Sequence, residues 1–292
     1  MALKLCANSI NKLYLGRTPI NKAYLGATVL FSGGGAVPFS PADLFTGSET
    51  GVFYDVSDLS TLFQDSAGTT PVTTAGQPVG RMLDKSGRAN HATQAISAKR
   101  PTYTEGSGLS WLAFDGVDDA MVTGNIDFTG TDKMSLFVGV RRLTDNTAVL
   151  VESSANWNLI DGSLLLFTGT AHSGVGDGFS TAARGSQRAT AYQFGATDDT
   201  FEPPVTLVLS ASNDISGDLS SIRGNGVAGQ NGTGEKGAGN FNNLPLFIGA
   251  RNASKLAFEG NFYGIILRGS LSTAAEISAV EAYLAAKSGV TL

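Results

Sequence analysis

The sequence predicts an all-β protein: a large antiparallel sandwich with one C-terminal helix, preceded by a small N-terminal β-meander. Three observations carry that prediction. The 292 residues include 37 glycines and only 15% charged residues, a composition suited to frequent tight turns, because glycine tolerates positive φ. From residue 51 onward, β-branched and aromatic runs recur between Gly, Asn, Asp or Pro, as short strands do. Helical periodicity of ordinary length is confined to residues 273–289.

The chain opens on a duplication. In INKLYLGRTPINKAYLG (10–26), the residues Ile10, Asn11, Lys12, Tyr14, Leu15 and Gly16 recur ten positions later. Strand alternation puts Ile10, Lys12 and Tyr14 on one face and Leu13 and Leu15 on the other. The segments Gly16-Arg17-Thr18-Pro19 and Gly26-Ala27-Thr28 supply turns, so residues 3–31 read as a three-stranded antiparallel meander. So small a unit cannot bury enough surface to stand alone. It needs a partner, either the main domain, sister copies of itself or a larger assembly; taken as a docking segment, residues 1–32 would make contact through Ile10, Lys12, Tyr14, Ile20, Lys22 and Tyr24. Gly33, Gly34 and Gly35, followed by Pro38 and Pro41, mark 33–50 as a tether, and 51–292 as the main domain.

Within 51–292 the expected strands include SLFVGVRRL (135–143), TAVLVES (147–153), NLIDGSLLLFTG (158–169), VTLVLSAS (205–212), LPLFIGAR (244–251) and NFYGIILRG (261–269). For the helix, Thr273 and Glu276 have capping-box spacing, Ile277, Val280 and Leu284 form an apolar stripe, and Gly289 stands at the C-cap.

Three stretches carry a resemblance: YDVSDLSTLFQDSAGTTPVTTAGQPVGRMLDKSGRANHATQ (54–94), WLAFDGVDDAM (111–121), and LFIGAR with FEGNFYGIIL ahead of the terminal helix. Together they resemble the concanavalin A-like, LamG-type jelly rolls of bacteriophage and prophage virion proteins. The duplicated I-x-K-x-Y-x-G phrase likewise resembles the short N-terminal hairpins of phage tail and head-appendage proteins. The resemblance implies a virion structural protein, on tail or head, that docks through its N-terminus and presents a lectin-like domain to host surface polysaccharide. The expected partners are other virion proteins and sister subunits, as a homotrimer or another symmetric set; a purely architectural role is the alternative.

The net charge of −5 gives no electrostatic reason to bind nucleic acid or an anionic membrane. Cys6 is the only cysteine, which excludes an internal disulfide and a cysteine-rich metal cluster. The N-terminus lacks the basic and apolar regions of a secretory signal, and no run of 18 apolar residues occurs. Assembly in the bacterial cytoplasm into a virion is the expectation.

Catalysis finds no motif. The E-x-D-x-(x)-E pattern of the glucanase branch is absent, since no glutamate is followed two residues later by aspartate. The two histidines, His91 and His172, stand in polar loops, and there is no Gly-x-Ser-x-Gly elbow and no phosphate-binding glycine loop. The reading is a non-enzyme, with a glycan depolymerase as the least favoured option.

Sugar sites need an aromatic face ringed by polar groups. Trp157 between Asn156 and Asn158, Tyr192 beside Gln193, and Asp177 and Arg188 in a long Gly-rich loop are the glycan-binding candidates. Trp111, alternating with apolar neighbours, reads as a core or edge aromatic. The carboxylates of Asp84 and of Asp115-Gly116-Val117-Asp118-Asp119 read first as turn residues accepting backbone N–H groups. Asp115, Asp118 and Asp119 are also the candidate ligands of a Ca²⁺ ion, a hard cation that wants several oxygens; no other cofactor is expected.

Overall fold

A computed structural model of the chain describes residues 39–169, 178–187, 201–229 and 231–292 in full, and the backbone of Tyr14–Leu15, Thr18–Pro19, Lys22–Leu25, Thr28–Ser32 and Tyr192–Phe194. The chain divides into two compact units, Met1–Ser40 and Pro41–Leu292.

In the first unit, Tyr14–Leu15 pairs antiparallel with Thr18–Pro19, and Lys22–Leu25 with Thr28–Ser32. Among the described residues the expected meander is thus two separate hairpins. Their registers repeat: Leu15 faces Thr18 and Tyr14 faces Pro19, while Leu25 faces Thr28 and Tyr24 faces Val29. Only two residues, Gly16-Arg17 and Gly26-Ala27, lie between the partners. Each copy of the phrase thus closes on itself instead of sharing a middle strand. Tyr14, Lys22 and Tyr24 fall on these strands; Ile10, Lys12 and Ile20 lie outside the described residues.

The second unit is a sandwich of two antiparallel sheets. One is centred on Lys133–Arg142, which pairs with Val205–Asp214 on one side and Glu259–Arg268 on the other. Beyond Val205–Asp214 come Leu219–Gly224 and Val227–Ala228. The far edge of Glu259–Arg268 is shared: its first residues pair with Leu109–Asp115, which carries Thr102–Gly106, and its last with Gly51–Asp55. The second sheet runs Tyr192–Phe194, Phe179–Arg184, Ser163–Thr168, Val149–Glu152, Asn243–Ile248, Met121–Asp127, Ala92–Thr93, Arg81–Met82, Leu62–Phe63.

Alternation builds the core. Met134, Leu136, Val138 and Val140 point inward from the central strand of the first sheet, and Leu164, Leu166, Leu246 and Ile248 from the second, all in one buried cluster. Part of the outer face of the first sheet is covered by the helix Ala274–Ser288. Its ends follow the sequence: Thr273 and Glu276 form the reciprocal capping box, and Gly289 adopts the left-handed conformation with φ 72°. Val280 and Leu284 are fully buried. The helix approaches closely because Gly264 has no side chain; a Cβ there would lie 3.0 Å from Leu284 Cδ2.

The tether expected over 33–50 does not extend through its second half. Pro41–Phe45 forms a short 3-10 turn whose Leu44 and Phe45 are buried, and Arg88 donates to the carbonyls of Phe45 and Glu49 at 3.0 and 2.9 Å. A donor some forty residues away converts a Pro-rich stretch, extended by local preference, into part of the domain.

Candidate functional site

The acidic turn Asp115–Asp119 does bring its three carboxylates together. Ligand-capable oxygens of Asp115, Asp118 and Asp119 all lie within 4.8 Å of one another. The turn geometry comes from Asp115, whose Oδ1 accepts the backbone N–H groups of Val117, Asp118 and Asp119 at 2.8, 3.2 and 3.3 Å. In return, Asp119 Oδ2 accepts the N–H of Asp115 at 3.1 Å. This is the turn role expected of these residues. One carboxylate is left uncompensated: burial, followed by the charges of Asp115 and Asp118, pushes Asp119 up to about 6. Lys99 reaches Asp118 at 3.6 Å. The donor set, hard oxygens with an excess of negative charge, fits a Ca²⁺ ion.

Asp84 is structural, as read from the sequence. Its carboxylate accepts the N–H groups of Phe53, Ser86 and Asn90 and the Ser86 hydroxyl, pinning the 84–90 turn to the strand Gly51–Asp55. His91 belongs to the same turn, its Nδ1 accepting the Asp84 N–H, and burial first, then Arg81, holds its pKa below the usual value.

The glycan candidates do not assemble. Trp157 is 7% exposed, packed with Val149, Leu165, Phe167 and Ala182 on the outer face of the second sheet. Its backbone N–H is held at 2.6 Å by the buried carboxylate of Glu152, which also pairs with Arg251 at 2.8 Å. A ring enclosed in this way offers no face to a sugar, and its assignment as a stacking platform is corrected: the indole roofs an apolar patch, while the Asn156 side chain accepts the backbone N–H of Asn158 at 3.1 Å within the same loop. Tyr192 lies on a strand paired with Phe179–Arg184, opposite Thr181. Asp177, Arg188 and His172 lie outside the described residues.

A feature that carries no sequence motif is a cleft of about 300 Å³ lined by Ser48, Glu49, Thr50, Asp127, Phe128 and Thr131. Glu49 pairs with Arg268 at 3.1 Å, and Asp127 Oδ1 accepts the N–H and hydroxyl of Thr129 at 3.0 and 2.6 Å. Both carboxyls sit below the usual range, Glu49 through its backbone hydrogen bond and then, against burial, Arg268; Asp127 through the Thr129 hydroxyl. Ionised carboxylates among hydroxyls can accept hydrogen bonds from a sugar; neither is set to give up a proton at neutral pH. The cleft and the acidic turn lie at opposite ends of one strand, since Glu259 pairs with Asp115 and Arg268 with Gly51. Loops from residues 48–50, 127–131 and 269 meet only in the fold, which is why the sequence did not announce the cleft.

No protein-family model matches the sequence, and no curated protein matches it. Solved structures do share the fold. An arabinofuranosidase complexed with arabinofuranosyl-alpha-1,2-xylobiose matches 86% of this chain over 65% of its own, at a TM-score of 0.58 and 14% identity. A GH54 α-L-arabinofuranosidase soaked with a cyclic sulfate inhibitor matches 86% over 66%, at 0.59 and 13%. The Trypanosoma rangeli sialidase matches 88% over 35%, at 0.52 and 14%. The chain therefore spans about two thirds of the arabinofuranosidases and about a third of the sialidase. At these identities the likeness establishes the fold: the main domain is a jelly-roll β-sandwich of the kind that occurs in glycosidases.

These matches overturn the reading of the chain as a non-enzyme. Chains built on this fold carry the names of glycoside hydrolases, so the absence of one branch's E-x-D-x-(x)-E motif does not exclude hydrolysis. Carboxyl groups on different strands and loops can flank a scissile bond without forming any linear motif.

Proposed function

We propose that this chain is a glycan-recognising jelly-roll protein of a bacteriophage particle, docked through its duplicated N-terminal hairpins and facing host surface polysaccharide. The observation that carries the reading is the likeness, over 86% of the chain, to a structure that holds an arabinofuranosyl-xylobiose. The virion assignment draws on the resemblance of residues 54–94 and 111–121 to phage jelly rolls and on the repeated hairpin register. Its partners in this reading are other virion proteins and sister copies. Asp115, Asp118 and Asp119 hold Ca²⁺, which supplies a fixed positive charge to ligand hydroxyls, and Asp177, Arg188 and Tyr192 contribute to specificity.

A second reading is favoured by one specific observation. Asp119, at about 6, keeps its proton to a higher pH than an ordinary carboxyl while Asp115 and Asp118 offer oxygens within 4.8 Å. Glycoside hydrolysis pairs a carboxylic acid of raised pKa with a second carboxyl that acts as nucleophile or base, and Asp119 has the character of the first. In this reading Asp119 is the proton donor and Asp115 its partner.

One experiment addresses both. Full-length protein is titrated with purified host surface polysaccharide, with and without chelator, while new reducing ends are counted. Saturable binding supports recognition. Reducing ends that disappear in Asp119→Asn support hydrolysis. Silence in binding and release alike rejects both and leaves a purely architectural role.

A further inference from the structure

The outer face of the helix-bearing sheet is not fully covered. Along Leu109–Asp115, Leu112 and Phe114 point into the core at 1% and 3% exposure, so Trp111 faces outward by alternation. It is half-buried, with its ring 6.1 Å from that of Tyr263 at 56°. Gly106 leaves room at the ring's edge, since a Cβ there would lie 3.0 Å from Trp111 Cη2.

The register places polar groups beside this platform. Asn261, 8% exposed, faces Ala113 on one side and Arg141 on the other, and Arg141 in turn faces Thr206. Trp111 and Arg141 thus flank the strand that carries Asn261 and Tyr263, two strand spacings across and two residues along, roughly 12 Å between backbones, a span suited to one or two sugar rings.

Arg141 is set apart from the other described arginines. Arg81, Arg88, Arg100, Arg142, Arg184, Arg223, Arg251 and Arg268 each donate at least one hydrogen bond. The Nε of Arg141, like those of Arg81 and Arg268, is buried without a partner among the described residues, but Arg141 makes no other hydrogen bond or ion pair there either. Glu259, two positions from Asn261 on the same strand, sits against Gly116 instead. A partly desolvated guanidinium without a partner has lost water contacts and gained nothing in return. A carboxylate from a ligand would complete it, through two parallel N–H···O bonds.

We propose that this face is a subsite for an acidic sugar, with the ring stacked on Trp111, its carboxylate paired with Arg141, and a hydroxyl on Asn261. The proposal rests on the glycan-recognition reading above and specifies a class of sugar and a place for it.

The test uses full-length protein and a set of oligosaccharides bearing glucuronate, galacturonate or sialate, each alongside its carboxyl-reduced counterpart. Binding is followed by calorimetry and by indole fluorescence, which reports on only two tryptophans. The expected result is that at least one acidic member binds at least tenfold more tightly than its reduced form. Arg141→Gln removes that preference, bringing the acidic form down to the affinity of its reduced counterpart. Trp111→Ala weakens both forms at least tenfold, and Trp111→Phe, which keeps an aromatic face and guards against misfolding, weakens them much less. Acidic binding untouched by Arg141→Gln and Trp111→Ala would overturn this site while leaving glycan recognition standing. Equal affinity for acidic and reduced forms would overturn the assigned class. Absence of binding to every member and to host polysaccharide would overturn both readings.

Discussion

The two tryptophans stand on opposite outer faces of the sandwich, and their environments are the reverse of what their neighbours in sequence suggest. Trp157, set between two asparagines, is 7% exposed and roofs an apolar patch. Trp111, set in an alternating apolar run, is half-buried on an open sheet face. The polarity of adjacent residues reports only that a loop meets water somewhere. Which way a ring points is decided by strand alternation and by what the opposing surface lacks. Here Leu165 and Phe167 of a strand buried on both faces needed a cover, and the 153–162 loop provides it.

Mutation should separate the two rings sharply. Trp157→Ala is expected to destabilise the domain by about 3–5 kcal/mol, as large-to-small changes at packed aromatic positions do. Trp111→Ala should cost only about 1 kcal/mol, since a half-exposed ring forfeits less buried area. Denaturant unfolding with both variants checks this, and comparable losses would break the contrast.

The same logic predicts an effect on the helix-bearing face. Leu284→Ala should cost about 2–4 kcal/mol, because Leu284 is fully buried where the helix meets Gly264. Thr273→Ala removes the cap and should cost about 1 kcal/mol; thermal melts would rank the pair.

A smaller, pH-dependent effect distinguishes the rims. Asp119 is raised to about 6 from 3.8, so the folded state holds its proton more tightly than the unfolded chain. That contribution to stability is complete below 3.8 and is lost as pH rises through about 6. Asp55 has the opposite sign. Burial pushes it up, but the Ser57 hydroxyl, Lys287 and Lys85 outweigh burial and hold it at about 2. Its contribution is present above 3.8 and is lost as pH falls towards 2. Urea titrations from pH 3 to 8 should show Asp119→Asn flattening the profile between 4 and 7 while leaving the acid limb in place. Calcium, if held by this turn, should stabilise the wild type more at pH 7 than at pH 5, and Asp119→Asn much less.

Much of the fold was legible because it follows from local chemistry. The capping box at Thr273, the C-cap at Gly289 and the alternating runs around Lys133–Arg142 and Glu259–Arg268 declare themselves within a few residues. The hairpins were partly legible: the ten-residue repeat is plain, whereas the closing of each copy on itself shows only in the strand pairing. The site was much less so. The carboxylates of Asp115, Asp118 and Asp119 meet because one tight turn gathers them. The cleft around Glu49 and Asp127, and the juxtaposition of Trp111, Asn261 and Arg141, arise from strands distant in sequence. Their register is a property of the assembled sheets, and no linear motif encodes it.

The most direct test of the central claim is binding of the full-length protein to purified host surface polysaccharide, measured with and without calcium chelation. The account predicts saturable binding that chelation weakens and that Trp157→Phe leaves intact. Absence of binding under both conditions would contradict it.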